Sequence, residues 1–216
     1  MDTITNEKWI KSFSRRSRLK PVINEVLDKY SIQNSKEYIE KVVDSQKRIW
    51  LEIGFGSGEN MLYQAQNETD VLLIGCEPYL KGVSKLLTNI ENNNIENILI
   101  WIDDARKLII NFPDNSIERF FILFPDPWPK RSHNKRRLIN AEFLALLAEK
   151  MLNSGNITIA TDHQDYAEWI ISHIKQCHHL TYKEENFVNF PVTKYYKKAL
   201  NCQHKVKFFK VSKLLT

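Results

Sequence analysis

A short apolar run followed by a helical pattern recurs five times in this chain, and this repeat constrains the fold more than any other feature. The runs lie at residues 49–53, 71–76, 98–102, 119–124 and 157–160. Nearly continuous apolar runs of this length are typical of strands that are buried on both faces. Strands that alternate with helices form a mostly parallel sheet covered by helices on both sides. We therefore predict a doubly wound α/β domain.

The segments after the fourth run complete the predicted sheet. Residues 138–152 carry an amphipathic helical pattern, and the polar residues 153–155, which end in glycine, are its stop signal. Residues 205–211 alternate polar and apolar side chains, which is typical of a half-exposed strand. We expect this last strand to lie antiparallel at the C-terminal edge of the sheet.

The N-terminal part of the chain has a different composition. Residues 1–47 are polar and helix-prone, and residues 15–20 form a small basic patch before the first apolar run. Such a segment is either a solvated arm or an arm that contacts nucleic acid. We therefore divide the chain into a basic N-terminal extension, residues 1–47, and an α/β domain, residues 48–216.

Each of the five apolar runs contains an acid at its end or leads directly into one. Ligands of open α/β sheets bind beyond the C-terminal ends of the strands, so these acids are expected to meet at one edge. The five acids are Glu52, Glu77, Asp104, Asp126 and Asp162. A pocket lined in this way favours a cationic or neutral ligand.

A glycine-rich turn follows the first run, with Gly54, Gly56 and Gly58 at alternate positions. The dinucleotide fingerprint would need its third glycine at Glu59, and no Gly-Lys-Ser/Thr follows, so neither that motif nor a P-loop is present. The flanking carboxylates would also repel a pyrophosphate. S-adenosylmethionine fits this turn, because it carries a sulfonium, an ammonium, a ribose and an adenine but no phosphate.

Two of the strand-end acids suit particular parts of that cofactor. Glu77 lies 19 residues beyond Gly58, where an acid at a strand end accepts hydrogen bonds from ribose hydroxyls. Asp104, in the next loop, could accept a hydrogen bond from the adenine amino group. The alternative for any single acid here is a helix N-cap, although capping does not explain the glycines.

The stretch 124–137 joins a carboxylate, an aromatic ring and a basic segment. Three prolines at alternate positions fix their own φ angles and disfavour helix before them, which predicts an extended backbone at Asp126 and Trp128. The dense positive charge that follows suits the phosphates of a nucleic acid. Trp128 could stack on a base or anchor the loop. The alternative is a proline-rich loop followed by a solvated charge run.

Composition and charge indicate which partners, metals and cellular location to expect. A net charge of +5 favours a polyanionic partner without proving one. The three cysteines are far apart, and no His or Cys spacing suits a metal site, so we expect no metal. No apolar run approaches the roughly 18 residues of a membrane span, and the N-terminus lacks a secretory signal. We expect a cytoplasmic protein that makes no membrane contact and is a monomer or a homodimer.

Taken together, these motifs resemble the bacterial tRNA (guanine-N7-)-methyltransferases, a branch of the Rossmann-like class I methyltransferases. The resemblance spans most of the chain. It rests on residues 12–16, 51–58, 104–105, 126–130, 135–138, 161–162 and 193–194 and on His204. It implies that S-adenosylmethionine is the cofactor and that N7 of a guanine in tRNA, in its variable loop, accepts the methyl group.

The resemblance also implies roles for individual residues. The cofactor contacts are Glu52, Glu77, Asp104 and Asp126, together with the three glycines of the turn. The substrate contacts are Lys130, Asp162, Thr193, Lys194, Tyr195 and Tyr196, and the RNA contacts are Ser132, His133, Asn134, Lys135, Arg136 and Arg137. We assign the catalytic role to Asp126, as a carboxylate that positions the base and stabilises charge.

The chain departs from the family pattern within residues 195–203. The family usually has Thr-Lys-Phe-Glu where this chain has residues 193–196, so Tyr196 replaces an acid. Lys198 replaces an arginine, and Gln203 replaces a glycine. These departures leave open a non-catalytic RNA-binding protein with the same fold. A methyltransferase acting on an exocyclic amine is the other alternative, although Trp128 occupies the second proline position of its Asn/Asp-Pro-Pro-aromatic turn.

Overall fold

A seven-stranded sheet forms the centre of the computed structural model, which describes residues 21–33, 36–185 and 190–214. The strands are β1 (Arg48–Ile53), β2 (Val71–Cys76), β3 (Ile98–Trp101), β4 (Ile117–Leu123), β5 (Met151–Thr161), β6 (Leu180–Glu184) and β7 (Lys207–Lys213). Their order is β3-β2-β1-β4-β5-β7-β6, and β1 to β5 are parallel. The predicted doubly wound, mostly parallel sheet is therefore confirmed.

Eight α-helices connect or flank these strands in the part of the chain that is described. They are α1 (Pro21–Tyr30), α2 (Lys36–Asp44), α3 (Glu59–Asn67), α4 (Leu80–Asn92), α5 (Ala105–Ile109), α6 (Ala141–Lys150), α7 (Gln164–Gln176) and α8 (Lys194–Asn201). A 3₁₀ helix covers Arg131–Arg136. Within the described residues, none of the helices is long and apolar enough to cross a lipid bilayer.

The sheet separates two apolar layers. Along β1, Ile49, Leu51 and Ile53 belong to one layer, and Trp50 belongs to the other. The first layer is completed by residues of α2, α5, α6 and α7, and the second by residues of α1, α3 and α4. Burial on both faces explains why the strands are almost continuously apolar.

The C-terminal strands extend the sheet in the expected antiparallel direction. Strand β7 pairs antiparallel with β5, as predicted, and also with β6, which occupies the outer edge. Strand β6 was not among the strands predicted from the sequence. Only Leu180 of β6 is buried, so an outer strand of this composition lacks the apolar signal that marks the central strands.

The boundary between α6 and β5 corrects one prediction. The helix ends at Lys150, not at residue 152, and the expected stop signal, residues 153–155, lies inside β5. The pairing of β4 with β5 shifts register between Ile117 and Arg119, so this part of β5 is irregular. A Cβ atom on Gly155 would lie 2.5 Å from the carbonyl oxygen of Glu118. The glycine therefore permits a close approach of two strands rather than ending a helix.

Described residues of the proposed N-terminal extension pack against the sheet. Leu27 and Tyr30 are buried in the layer that contains α4, and Ile39 and Val42 are buried in the other layer. The backbone N–H of Ile32 donates a hydrogen bond to the carbonyl of Ile100 at 3.0 Å. The basic patch at 15–20 lies outside the described residues, and the domain boundary at residue 47 stays a prediction.

Candidate active site

The glycine turn bends the chain sharply between β1 and α3. Gly54, Gly56 and Gly58 have φ angles of 75°, 57° and 80°, a region that side-chain-bearing residues rarely adopt. The N–H of Gly54 donates to the carbonyl of Cys76 at 2.7 Å, which ties the turn to the end of β2. A Cβ atom on Gly54 would meet nothing within 4 Å, so the space above this part of the turn is open.

A glycine that the sequence analysis did not single out supports this turn from behind. Gly82 is buried in α4, and a Cβ atom there would lie 2.0 Å from the carbonyl oxygen of Gly56. The helix can therefore approach the turn only because residue 82 has no side chain. An isolated glycine inside an amphipathic helix is the available sequence signal for such a contact.

Glu77 links the glycine turn to the end of β2. One carboxylate oxygen accepts a hydrogen bond from the Gly56 N–H at 2.9 Å, and the other accepts one from the Tyr79 N–H at 2.8 Å. Burial raises the pKa of Glu77, the two N–H donors act in the opposite direction, and the nearby charge of Asp126 raises it further. Glu77 and Asp126 are thus close enough to repel one another, and a cation between them would relieve this repulsion.

Glu52 is the most deeply buried of the strand-end acids, with 3% of its surface exposed. It accepts a hydrogen bond from the side-chain amide of Asn60 at 2.9 Å. Burial raises the pKa of Glu52 to about 8, and the charges of Glu59 and Glu77 contribute to the rise. At neutral pH this side chain is therefore mostly protonated. Asn60, also buried, was missed in the sequence because a polar residue in a helix gives no local sign of burial.

This raised pKa predicts a pH-dependent effect of Glu52→Gln on stability. Because the pKa of about 8 exceeds the ordinary value of 4.5, the folded protein keeps a proton that the unfolded chain loses between these pH values. The contribution of Glu52 to stability is therefore full below pH 4.5 and is lost as the pH rises to 8. The free energy of unfolding of Glu52→Gln, relative to that of the wild type, should therefore rise by up to about 1.4 kcal/mol per pH unit across this window.

Urea unfolding of the two proteins at pH 5.5, 7.0 and 8.5 measures this difference. Glu142→Gln, which changes an exposed acid in the first turn of α6, is the matched control and should follow the wild type at each pH. Identical pH slopes for wild type and Glu52→Gln would show that Glu52 is already ionised in the folded protein.

Asp104 is engaged by its own helix. It is the N-cap of α5, and its carboxylate accepts hydrogen bonds from the Arg106 N–H at 3.0 Å and the Arg106 Nε at 2.9 Å. Arg106 Nη2 forms an ion pair with the second carboxylate oxygen. Asp104 is therefore a helix cap, which was the alternative for an acid at this position. An adenine amino group would have to share the carboxylate with Arg106. The adenine contact of Asp104 stays a prediction.

The backbone around Asp126 corrects the expectation of an extended stretch. Phe124 and Trp128 have positive φ angles of 53° and 43°. Both residues precede a proline, which disfavours right-handed helix at these positions but does not impose an extended backbone. The ring of Trp128 is half-buried, with the Arg136 guanidinium 4.9 Å from its centroid and the edge-on ring of His133 at 5.8 Å. These contacts favour the anchoring role for Trp128, whereas Asp126 itself is exposed.

The basic segment after Trp128 forms an exposed loop that includes the 3₁₀ helix. The predicted substrate contact Lys130 and the predicted RNA contacts Ser132, Lys135 and Arg136 are exposed, and His133 and Asn134 are half-buried. Among the described residues, no acid lies within ion-pair distance of Lys130, Lys135 or Arg136. Their charges remain available for an anionic ligand. We call residues 130–136 the basic loop.

Arg137 is a correction to the predicted set of RNA contacts. Only 3% of its surface is exposed. Its Nε donates a hydrogen bond to the Pro127 carbonyl at 2.9 Å, and its Nη2 forms an ion pair with Asp165 of α7. The guanidinium also lies 5.0 Å from the ring centroids of both Tyr166 and Trp169. Arg137 therefore fastens the Asp126 loop to α7 and has no surface left for a phosphate.

The predicted substrate segment begins at the start of α8, beside the glycine turn. Thr193 is the N-cap, and its hydroxyl oxygen accepts a hydrogen bond from the Tyr196 N–H at 3.2 Å. The Tyr195 ring would lie 3.7 Å from a Cβ atom on Gly56, and burial raises its pKa, with Asp126 and Glu77 as the largest further causes. Tyr195 therefore faces the acids of the pocket, while Lys194 points to solvent.

Tyr196, which replaces an acid of the family pattern, packs in an aromatic cluster. Its ring stacks on Phe124 at 6.0 Å between centroids and meets the edge of Phe208 at 5.6 Å. Nearby, Asp162 follows β5 and pairs with Nδ1 of His204 at 2.9 Å. The structure thus places a ring, not a carboxylate, at the start of α8, and leaves Asp162 as the acid on this side of the site.

The arrangement as a whole meets the requirements of S-adenosylmethionine. Glu52, Glu77 and Asp126 surround an open glycine turn, and Tyr195 covers one side of it. Glu77 and Asp126 have no cation within ion-pair distance among the described residues, so their carboxylates suit a positively charged ligand and would repel a phosphate. The residues present therefore fit the cofactor. The basic loop, next to Asp126 in the chain, suits a polyanionic substrate.

Comparisons with known proteins agree with this geometry. Residues 46–209 match a protein family described as "Putative methyltransferase". A tRNA (guanine-N(7)-)-methyltransferase from Wolbachia pipientis wMel is 74% identical over 96% of this chain and 94% of that protein. Another of the same name from Hyphomonas neptunium is 44% identical over 70% of each chain. The solved structure of an antibiotic-related methyltransferase, which is 16% identical, covers 88% of this chain and 98% of its own with a TM-score of 0.60 and shares the fold. The predicted class I methyltransferase fold is confirmed, and the chain belongs to the tRNA (guanine-N(7)-)-methyltransferase family.

Proposed function

We propose that this protein transfers a methyl group from S-adenosylmethionine to N7 of a guanine in tRNA. The observation that carries the proposal is the 74% identity to a tRNA (guanine-N(7)-)-methyltransferase over nearly the whole of both chains. The acid-lined glycine turn and the adjacent basic loop support it with a site for each substrate. We place the target guanine in the variable loop of tRNA and the protein in the cytoplasm, as a monomer or a homodimer.

The chemistry of guanine N7 explains why this site needs no strong general base. N7 attacks through a ring lone pair and carries no proton that must be removed. When bound, S-adenosylmethionine supplies an electrophilic methyl group on a sulfonium. The protein must hold N7 in line with this group, and most of its contribution comes from positioning and preorganised charge. Positive charge develops on the purine during transfer, and the carboxylate of Asp126 stabilises it.

Carboxylates can also select guanine over adenine. Guanine presents an N1–H and an exocyclic amine as hydrogen-bond donors, and we infer that Asp126 and Asp162 accept from them. Adenine has no N1–H, so it would cover one of these carboxylates without donating a hydrogen bond to it. The target base must leave its stack to reach these groups.

Methyl transfer to unmodified tRNA, followed by mapping of the methylated base, tests the proposed function. We expect a product that is cleaved at one guanine after borohydride reduction and aniline treatment, as N7-methylguanosine is. A product resistant to this cleavage and carrying N6-methyladenosine would instead establish the exocyclic-amine alternative. Absence of saturable S-adenosylmethionine binding in calorimetry would establish a non-catalytic protein.

The basic loop leads to a prediction about tRNA binding. Lys135→Ala with Arg136→Ala should weaken tRNA binding about tenfold or more at 100 mM salt. Each lost phosphate contact should lower the slope of log K against log salt by about 0.7–0.9. Fluorescence anisotropy with labelled tRNA at several salt concentrations measures both effects. Lys36→Ala with Lys41→Ala, on exposed positions of α2, is the charge-matched control. Equal slopes for the two double variants would remove the basic loop from the RNA interface.

A further inference from the structure

The positive charge of this protein is concentrated at its C-terminal end. Residues 186–216 contain 7 Lys and no Asp or Glu. The preceding residues, 1–185, contain the remaining 24 Lys and Arg against all 26 Asp and Glu. The net charge of +5 therefore comes entirely from the last part of the chain. A single-sign segment of this kind, in a folded region, is the electrostatic footprint of an anionic partner.

The structure separates six of these lysines into two groups, and the seventh, Lys213, donates hydrogen bonds to the side-chain oxygens of Asn115 and Asn153. Lys207 and Lys210, on β7, lie 2.9 and 4.0 Å from carboxylate oxygens of Glu184 and Glu185. The other group, which we call the α8 surface, is exposed and has no acid within ion-pair distance among the described residues. Its members are Lys194, Lys197 and Lys198 on α8 and Lys205 in the turn before β7. These charges are the ones that are free to bind an external anion.

The α8 surface starts at the active site. Tyr195 lies against Gly56 of the glycine turn, and Tyr196 stacks on Phe124, two residues before Asp126. Lys197 and Lys198 follow within the same turn of helix. A ligand held by these side chains would therefore extend directly into the carboxylate-lined pocket.

The α8 surface and the basic loop are attached to different faces of the sheet. Arg137, at the end of the basic loop, is bonded to Asp165 of α7, and α7 packs in the same apolar layer as Ile49 and Leu51. Tyr196 packs on Phe208 in the opposite layer. Asp126 lies on the strand edge between them. A polyanion that crosses this edge would thus meet lysines or arginines on both sides.

We propose that the α8 surface is a second contact for the phosphate backbone of tRNA, which works together with the basic loop to hold the RNA across the active site. This inference rests on the proposed function. The partner must be a polyanion longer than a nucleotide, because the two basic surfaces flank the pocket rather than line it. An anionic membrane fits less well, because the exposed carboxylate of Asp126 lies near both surfaces and would face the lipid headgroups.

The test uses the full chain with Lys197→Ala, Lys198→Ala and Lys205→Ala combined. We expect the Kd for tRNA to rise at least about tenfold at 100 mM salt and the salt slope to fall by about 2, for three phosphate contacts. The KM for tRNA should rise more than kcat falls. Lys36→Ala, Lys41→Ala and Lys47→Ala combined is the control with the same change of charge, and its exposed positions lie on α2 and just before β1. Unchanged circular dichroism spectra of both variants verify the fold.

Several outcomes would overturn the proposal. It fails if the α8 variant and the control bind tRNA with the same Kd and the same salt slope. It also fails if the α8 variant keeps its tRNA affinity but loses binding to vesicles of phosphatidylserine and phosphatidylcholine, because the surface would then serve a membrane. Methyl transfer by the wild type, measured in parallel, separates this failure from that of the proposed function. If the wild type methylates tRNA and the α8 variant binds tRNA with normal affinity, the proposed second contact is refuted and the proposed function is not.

Discussion

Asp126→Ala is expected to lower kcat for guanine N7 methylation by at least about 100-fold, the size of effect seen when one preorganised electrostatic group is removed from an active site. The reason is that this carboxylate is the exposed acid at the junction of the glycine turn and the basic loop. The affinity of the Asp126→Ala protein for tRNA should change less than about threefold, because the proposed phosphate contacts lie elsewhere. Single-turnover methyl transfer and anisotropy titration measure the two quantities separately.

Two further variants sharpen the result for Asp126. Asp126→Asn keeps the hydrogen-bonding oxygen but loses the charge, so it should recover binding geometry without recovering the rate. Asp28→Ala, on an exposed position of α1, is the control and should behave as the wild type. If Asp126→Ala methylates tRNA at more than half of the wild-type rate, another acid of the pocket must stabilise the charge on the purine.

Gly82→Ala is expected to be the most damaging of the conservative substitutions in the cofactor pocket. The new methyl group would lie 2.0 Å from the carbonyl oxygen of Gly56, so either the turn or α4 must move. We expect the affinity for S-adenosylmethionine to fall at least about tenfold and the free energy of unfolding to fall by about 2 kcal/mol. The sign of the stability change is informative, because alanine normally stabilises a helix interior by about 1 kcal/mol relative to glycine.

Calorimetric titration with S-adenosylmethionine and thermal unfolding measure the two effects of Gly82→Ala. Ser84→Ala, two residues along the same helix, is the matched control and should alter stability by only a few tenths of a kcal/mol. A Gly82→Ala protein that is more stable than the wild type and binds the cofactor equally well would show that the turn adjusts freely to α4.

The central architecture could be predicted because its determinants are local. Each parallel strand is a continuous apolar run, and burial on both faces of the sheet dictates that composition. Once the strands are known, the position of Glu52, Glu77 and Asp126 follows, because the C-terminal ends of parallel strands share one edge. The glycine turn was also visible, since positive φ angles at alternate positions call for glycine.

The remaining features depend on contacts between distant segments, and no local pattern reports them. Arg137 resembles its basic neighbours in the sequence. In the fold, however, it is buried and donates a hydrogen bond to Asp165, which lies 28 residues further on. Gly82 is significant only because α4 crosses behind Gly56. Trp128 has a positive φ, and its ring packs against Arg136 and His133 of the basic loop. Each of these residues was predicted less well than the strands for the same reason: its environment is assembled by tertiary structure.

The hydrogen bond from Arg137 to the Pro127 carbonyl couples tRNA binding to the placement of the Asp126 carboxylate. The basic loop and the Asp126 loop are fixed to one another and to α7 by a buried guanidinium. The two loops should therefore move together as one rigid body. Docking of the RNA and placement of the carboxylate would then be a single step, and rapid-mixing experiments should show no slow rearrangement between tRNA binding and methyl transfer.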